Sequence, residues 1–318
     1  MIVVGDLHGD YYKLKRILEN YEVAKLEEKD DNFSLEILNE ESFLVFIGDY
    51  VDWREENLEN PLNLDYIELV KGTKKIIKLI SLLLKNRKNV FALVGNHEDM
   101  MFKALDFIKN FSPEDLEIIL EKIEINPYLV VKDMIERNLL ENFISFYNWY
   151  SQGGMNTIKS FGSINNLIRS VEEDEIFKNL VVFVNFENEE GRRIFVSHSF
   201  PDKFECIDRM VNNSINRDDL NYILWSRKIW GIDAFNSRKT EPFKEEEIIS
   251  LFDKYSIEKF IIGHTRVSHN AKPLELFGGR IINVDNHGIP FSEPFIYKGL
   301  EIKNYISKSY QDFLQKTS

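Results

Sequence analysis

The chain has 318 residues, 43% hydrophobic and 13% aromatic, enough for a large α/β core and too apolar for a chain that stays disordered. Forty Lys and Arg stand against 53 Asp and Glu, and the formal charge of −13 argues against a long basic track for a nucleic-acid backbone. A single cysteine, Cys206, excludes an internal disulfide and suits a reducing compartment, and no run of about 18 apolar residues is present to span a membrane.

The chain opens on Met1-Ile2-Val3-Val4, which reads as a strand and not as an apolar leader, so a cytoplasmic protein is expected. Leu14, Ile17, Leu18 and Tyr21 follow helical spacing. Further short Val-, Ile- and Phe-rich runs at Phe43–Ile47, Val90–Val94, Leu180–Val184, Ile194–Val196, Phe260–Ile262 and Ile281–Val284 read as strands buried on both faces. Between the Phe43–Ile47 and Val90–Val94 runs, Tyr66, Val70, Thr73, Ile77, Ile80 and Leu84 predict one long helix. From Met100 to about Asn179 the pattern is mainly helical. Ser112-Pro113-Glu114-Asp115 is a helix start, and Gly153-Gly154 interrupts the run. No Pro-, Ser- or Gly-rich linker bounds this stretch. The expected organisation is therefore a single domain over 1–318 with a helical insertion at about 100–179. Strands alternating with helices place the fold in the α/β class. The tail from Gly299 is largely polar and predicts no definite element.

Four of the six histidines stand directly after an apolar strand, in Gly5-Asp6-Leu7-His8-Gly9, Gly95-Asn96-His97-Glu98, Ser197-His198-Ser199 and Gly263-His264-Thr265. A fifth cluster, Gly48-Asp49-Tyr50-Val51-Asp52, supplies carboxylates. In α/β sheets the loops at the carboxyl ends of strands form the ligand crevice, so five such loops can converge on one point. Taken singly, each cluster is an ordinary turn or a surface or core histidine. Five in order, each after a strand, point to one metal site. Aspartates, histidines and an asparagine without thiolate suit Mn²⁺, Fe or Zn²⁺, and a carboxylate such as Asp49 can bridge two cations.

These motifs resemble the calcineurin-like metallophosphoesterases, and within them the phosphoprotein phosphatase branch of the compact bacterial and phage serine/threonine phosphatases. That family reads GDxHG, GDxVDRG and GNHE, then a histidine after a strand and a GH near the end. Leu224-Trp225-Ser226-Arg227 resembles its tryptophan-containing loop with a phosphate-binding arginine. The resemblance implies a four-layer α-β-β-α sandwich and two divalent ions, Mn²⁺ foremost. Asp6 and His8 would hold the first ion, Asp49 would bridge, and Asn96, His198 and His264 would hold the second. It makes His97 the general acid, oriented by Asp52, and gives Arg227 and Asn96 to the substrate phosphate. The implied reaction is hydrolysis of a phosphomonoester by water activated at the two ions.

Two departures stand out. Trp53 occupies the place of the family arginine after GDxVD, so Arg54, one residue on, is expected to take over the phosphate clamp with Arg227. Arg266 stands where metallophosphodiesterases have a second histidine, which favours monoesters. His287 follows the last core strand and is expected at the border of the cleft. The leading expectation is thus a phosphatase of phosphoserine and phosphothreonine in proteins. The alternative is a hydrolase of diadenosine tetraphosphate or a related nucleotide, and a third reading is a degenerate fold kept as a binding module.

Overall fold

Beta-branched and aromatic side chains suit a pleated surface covered on both faces, and the short apolar runs form strands accordingly. The computed structural model describes residues 1–29, 32–53, 66–233, 238–266, 270–299 and 301–314. Its strands are β1 (Ile2–Val4), β2 (Ala24–Lys29), β3 (Asn32–Ile37), β4 (Leu44–Phe46), β5 (Val90–Leu93), β6 (Leu180–Asn188), β7 (Arg193–Ser197), β8 (Ile257–Ile262), β9 (Leu274–Leu276), β10 (Ile281–Asn283), β11 (Phe295–Ile296) and β12 (Ile302–Ser309). Among the described residues, β11, β1, β4, β5, β6, β7, β8, β10 and β9 lie in that order in one sheet, and β12 joins it on β6. Strands β2 and β3 form a separate antiparallel hairpin.

The large sheet contains two parallel sets. One is β1, β4, β5 and β6, and the other is β7, β8 and β10. The antiparallel hairpin of β6 and β7 joins them. Side-chain alternation puts Val3, Val45 and Leu93 from the first set in one buried layer with Val196, Ile261 and Ile282 from the second. Their neighbours Val4, Phe46, Ala92, Phe195 and Ile262 face the opposite way, into the core shared with the helices. Both sets can meet in one layer only if the sheet folds back on itself, which produces the α-β-β-α sandwich.

Helix Tyr11–Asn20 begins at Asp10, whose side chain accepts from the Lys13 backbone N–H. The long helix expected from Tyr66 is split into Tyr66–Val70 and Gly72–Asn86. The second begins at Gly72, where a Cβ would stand 1.9 Å from the Gly9 carbonyl oxygen, so the helix start lies directly on the loop after β1. Between β5 and β6 the chain carries helices alone, from Asn96–Ile108 to Glu175–Lys178, and Ser112 caps one of them by accepting from Asp115 N. The polar tail adds β12, an edge strand on β6, which the sequence did not indicate. Its outward residues meet solvent, so its pattern lacks the apolar run of a central strand, while Tyr305 packs 4.9 Å from the Phe91 ring.

Phe186 is fully buried in the inner layer. Phe186→Ala is expected to cost about 3–5 kcal/mol of unfolding free energy. Tyr305→Ala, at 47% exposure, is expected to cost less than about 2 kcal/mol. Urea unfolding of the two variants checks the inner layer, and equal losses would contradict it.

Candidate metal centre

The loops after β1, β4, β5, β7, β8 and β10 meet at one end of the sandwich. Asp49 lies at their middle, with Oδ2 3.4 Å from His8 Nε2 and 3.5 Å from His198 Nε2. Its other oxygen, Oδ1, accepts from the His97 backbone N–H at 3.1 Å. Each histidine is oriented through the ring nitrogen turned away from this centre. His8 Nδ1 donates to the Val51 carbonyl at 3.1 Å, and His198 Nδ1 donates to the Ile47 carbonyl at 2.9 Å. The two Nε2 atoms therefore carry lone pairs directed inward. His198 Nε2 and His264 Nδ1 both lie 2.9 Å from Asn96 Oδ1, so lone-pair atoms converge there. On the other side His264 N–H donates to Asp6 Oδ2 at 3.0 Å.

Two buried carboxylates outside the predicted ligand set hold this frame. Glu98, fully buried, accepts backbone N–H bonds from Gly95 at 2.9 Å, Asp49 and Tyr50 at 2.8 Å and Val51 at 3.2 Å. Because Glu98 is in the first turn of helix Asn96–Ile108, it fixes the β4 and β5 loops to the same helix end. Asp285, also buried, is hydrogen-bonded through Oδ1 to His287 Nδ1 at 2.7 Å.

The His97–Asp52 pair is held from the helical region. Asp52 Oδ2 lies 2.8 Å from His97 Nδ1. Its Oδ1 accepts from the Trp149 indole N–H at 3.0 Å and the Thr157 hydroxyl at 2.7 Å, and its N–H donates to Thr157 Oγ1 at 2.8 Å. Gly153 sits over it with φ 118°, in a turn of π-helix at Tyr150–Gly154, and a Cβ there would stand 2.9 Å from the Asp52 carbonyl oxygen. The predicted glycine interruption is thus the point where the helical region closes on the Asp52 loop. His8, Asp49, Asp52 and His264 all hold left-handed backbone, with φ of 41°, 53°, 65° and 69°. Non-glycine residues stay there only when their surroundings over-determine them.

Burial sets the charge states. It drives the imidazolium of His8 and His264 well below the ordinary range, with neighbouring histidines adding to the effect, and lowers His198 to about 4. All three rings are therefore neutral at neutral pH, with lone pairs free. Burial also raises Asp6 and Asp49 well above the usual carboxylate range, Asp285 adding to the rise at Asp6 and Asp6 to that at Asp49. For Asp285 burial acts upward, but His287, His8 and Lys13 outweigh it and bring the group down to about 2. Asp6 and Asp49, raised in this way, gain from positive charge beyond that of Lys13 and Arg227, and the neutral His198 and His264 rings do not supply it. Divalent cations fit. Three groups have ligand atoms within 4.8 Å of one another: Asp6, His8 and His287; His8, Asp49 and His97; and Asp49, His198 and His264. This oxygen and nitrogen set without thiolate suits Mn²⁺, Fe or Zn²⁺.

The structure brings together Asp6, His8, Asp49, Asp52, Asn96, His97, His198 and His264. Arg227 is half-buried, with Asp49 and Asp285 as its anionic neighbours. Arg54 lies outside the described residues. Trp53 is 1% exposed and faces Tyr66 at 5.8 Å, so it fills core space beside the loop. Trp225 is half-buried at the edge of the core, and its ring packs edge-on against His264 at 6.2 Å. Glu98, Trp149 and Thr157 escaped the sequence reading. Glu98 alone carried a local signal, as the last residue of the GNHE cluster.

The calcineurin-like phosphoesterase model matches residues 1–268. Shewanella-like protein phosphatase 1 of Plasmodium berghei (strain Anka) is 24% identical over 277 residues, 84% of this chain and 61% of that protein, so the chain spans about three-fifths of that relative's length. A solved cold-active protein tyrosine phosphatase aligns at TM-score 0.47 and 15% identity, over 92% of this chain and 71% of its own. A Saccharomyces cerevisiae protein serine/threonine phosphatase with similarity to human phosphatase PP5 aligns at TM-score 0.38 and 12% identity, over 97% and 79%.

Two outcomes follow from the geometry. Glu98→Gln turns an amide N–H₂ toward backbone donors and is expected to lose about 3 kcal/mol of stability, read by urea unfolding. Mn²⁺ at roughly 100 times its Kd is expected to stabilise the protein by ~2.7 kcal/mol. A melting temperature indifferent to both Mn²⁺ and chelator would contradict cation binding at this centre.

Proposed function

The chain belongs to the calcineurin-like phosphoesterase family, and from that membership we propose a cation-dependent phosphomonoesterase acting on phosphoserine and phosphothreonine in proteins. The carrying observation is the His97–Asp52 pair at 2.8 Å, set against the Asp49-centred ligand groups. Asp6, His8 and Asp49 are the residues to hold one cation, and Asp49, Asn96, His198 and His264 the other, with Mn²⁺ the preferred ion. Bound there, two cations would supply an acidified water at neutral pH and positive charge for the phosphoryl oxygens.

The chain's own groups do the rest. Asp52 accepts from His97 Nδ1, stabilises the ring while it carries a proton, and points Nε2 outward to the leaving oxygen. Trp149 and Thr157 hold the Asp52 carboxylate in that orientation. Arg227 offers a guanidinium to the equatorial oxygens of the phosphoryl group, and Asn96 an amide to one of them. The name of the Plasmodium relative supports a protein substrate. Cys206, a buried free thiol, supports a reducing, cytoplasmic setting. No helix among the described residues is long and apolar enough to cross a membrane.

Mn²⁺-loaded protein is to be incubated with a phosphothreonine peptide and, in parallel, with diadenosine tetraphosphate. Chelator-sensitive phosphate release from the peptide alone is expected, whereas preferential ADP formation would move the enzyme to the nucleotide hydrolases. His97→Ala is expected to lower kcat on the peptide by about 10²–10⁴-fold. The loss should be far smaller on p-nitrophenyl phosphate, whose leaving group departs without a proton. Equal losses on both substrates would remove His97 from the role of acid.

A further inference from the structure

We propose that His287 is a protein ligand of the cation held by Asp6 and His8, supplied by the loop after β10. The proposal rests on the reading that cations occupy the centre, and it adds a residue to the set expected for them. Ligand atoms of Asp6, His8 and His287 all lie within 4.8 Å of one another. The His287 and His8 rings approach at 4.7 Å, inclined at 70°. His287 Nδ1 is committed to Asp285 Oδ1 at 2.7 Å, which leaves Nε2 as the nitrogen with a lone pair to offer. A buried carboxylate that orients a histidine through the far ring nitrogen is the usual support of a metal-bound imidazole. His8 is committed in the same way to the Val51 carbonyl.

The loop that carries His287 is fixed from several sides. Arg266 donates to the His287 carbonyl at 3.1 Å. Asn286 accepts from the buried Lys13 ammonium at 2.9 Å and donates to the Ala271 and Glu293 carbonyls at 3.0 and 2.9 Å. Lys13 also donates to the Asp6 carbonyl at 3.0 Å, so one side chain ties the loop of the first ligand to the loop of His287. Independently of the histidines, Asp285 Oδ2 is buried without a hydrogen-bond partner, an unsatisfied acceptor beside the same group.

The test reads metal and not turnover. The full chain is stripped with chelator and titrated with Co²⁺, following visible absorption and the metal retained after gel filtration. The wild type is expected to take up two equivalents. In His287→Ala, and in the bulkier His287→Gln as a guard against collapse of the loop, one equivalent is expected to weaken roughly tenfold or more, with an altered absorption spectrum. The other equivalent should be unchanged. Asp285→Asn, which keeps the ring and loses its anchor, is expected to weaken the same equivalent by about 10–100-fold. Two equivalents bound with wild-type affinity and spectrum in both His287 variants would overturn the proposal, and a simultaneous loss of kcat/KM would reassign His287 to the substrate. If the wild type itself took up no cation, this proposal and the phosphoesterase mechanism would fall together. Failure confined to the variants leaves that mechanism standing.

Discussion

One carboxylate governs the geometry of the centre. Glu98 takes four backbone N–H bonds, one from Gly95, which caps its own helix, and three from the neighbouring Gly48–Val51 loop. Loops after parallel strands have donors that the sheet no longer satisfies, and burying them unpaired would cost several kcal/mol. Collecting them on a single buried acceptor solves that problem and sets where Asp49 points. The direction of the Asp49 carboxylate and its bond from the His97 backbone N–H both follow from that one anchor. The left-handed backbone of Asp49 is tolerable for the same reason, because its N–H is held at 2.8 Å and cannot relax away.

A second constraint comes from the helical region between β5 and β6. Its contribution to the centre is local, at the Trp149–Thr157 turn. Gly153 permits a backbone approach that no side chain would allow, and Trp149 and Thr157 then satisfy the inner oxygen of Asp52. With that oxygen occupied, only the outer one remains for His97, so the imidazole has one orientation to adopt. The helices thus reach the centre through hydrogen bonds to a single carboxylate. Chain that looks remote in sequence, about a hundred residues downstream, becomes part of the His97 support.

Much of the fold was legible because its signals are local. The apolar runs of β1, β4, β5, β7, β8 and β10 are buried on both faces, so each is recognisable without knowing its neighbours. The Gly-Asp and Gly-Asn-His turns that follow them mark the carboxyl ends of those strands. Where one face meets water the signal weakens, and the β2–β3 hairpin and β12 passed unnoticed for that reason. The helix expected from Tyr66 onward has the right periodicity on both sides of Lys71, but periodicity is blind to the close contact of Gly72 with Gly9 that accompanies the break.

Read by itself, the sequence determined the inventory of the centre: the donor types, their order along the chain, their position after strands, and a family resemblance that the match over residues 1–268 bears out. Tertiary structure alone decided the contacts that depend on distance. It turned Trp53 inward against Tyr66, brought Glu98, Trp149 and Thr157 to carboxylates and backbone of other loops, and set Asp285 and His287 beside Asp6 and His8. Donor type is a property of one residue and survives in a string of letters. A hydrogen bond or a shared cation is a relation between residues separated by up to nearly the whole chain, and only the folding of the sheet onto itself brings those partners within reach.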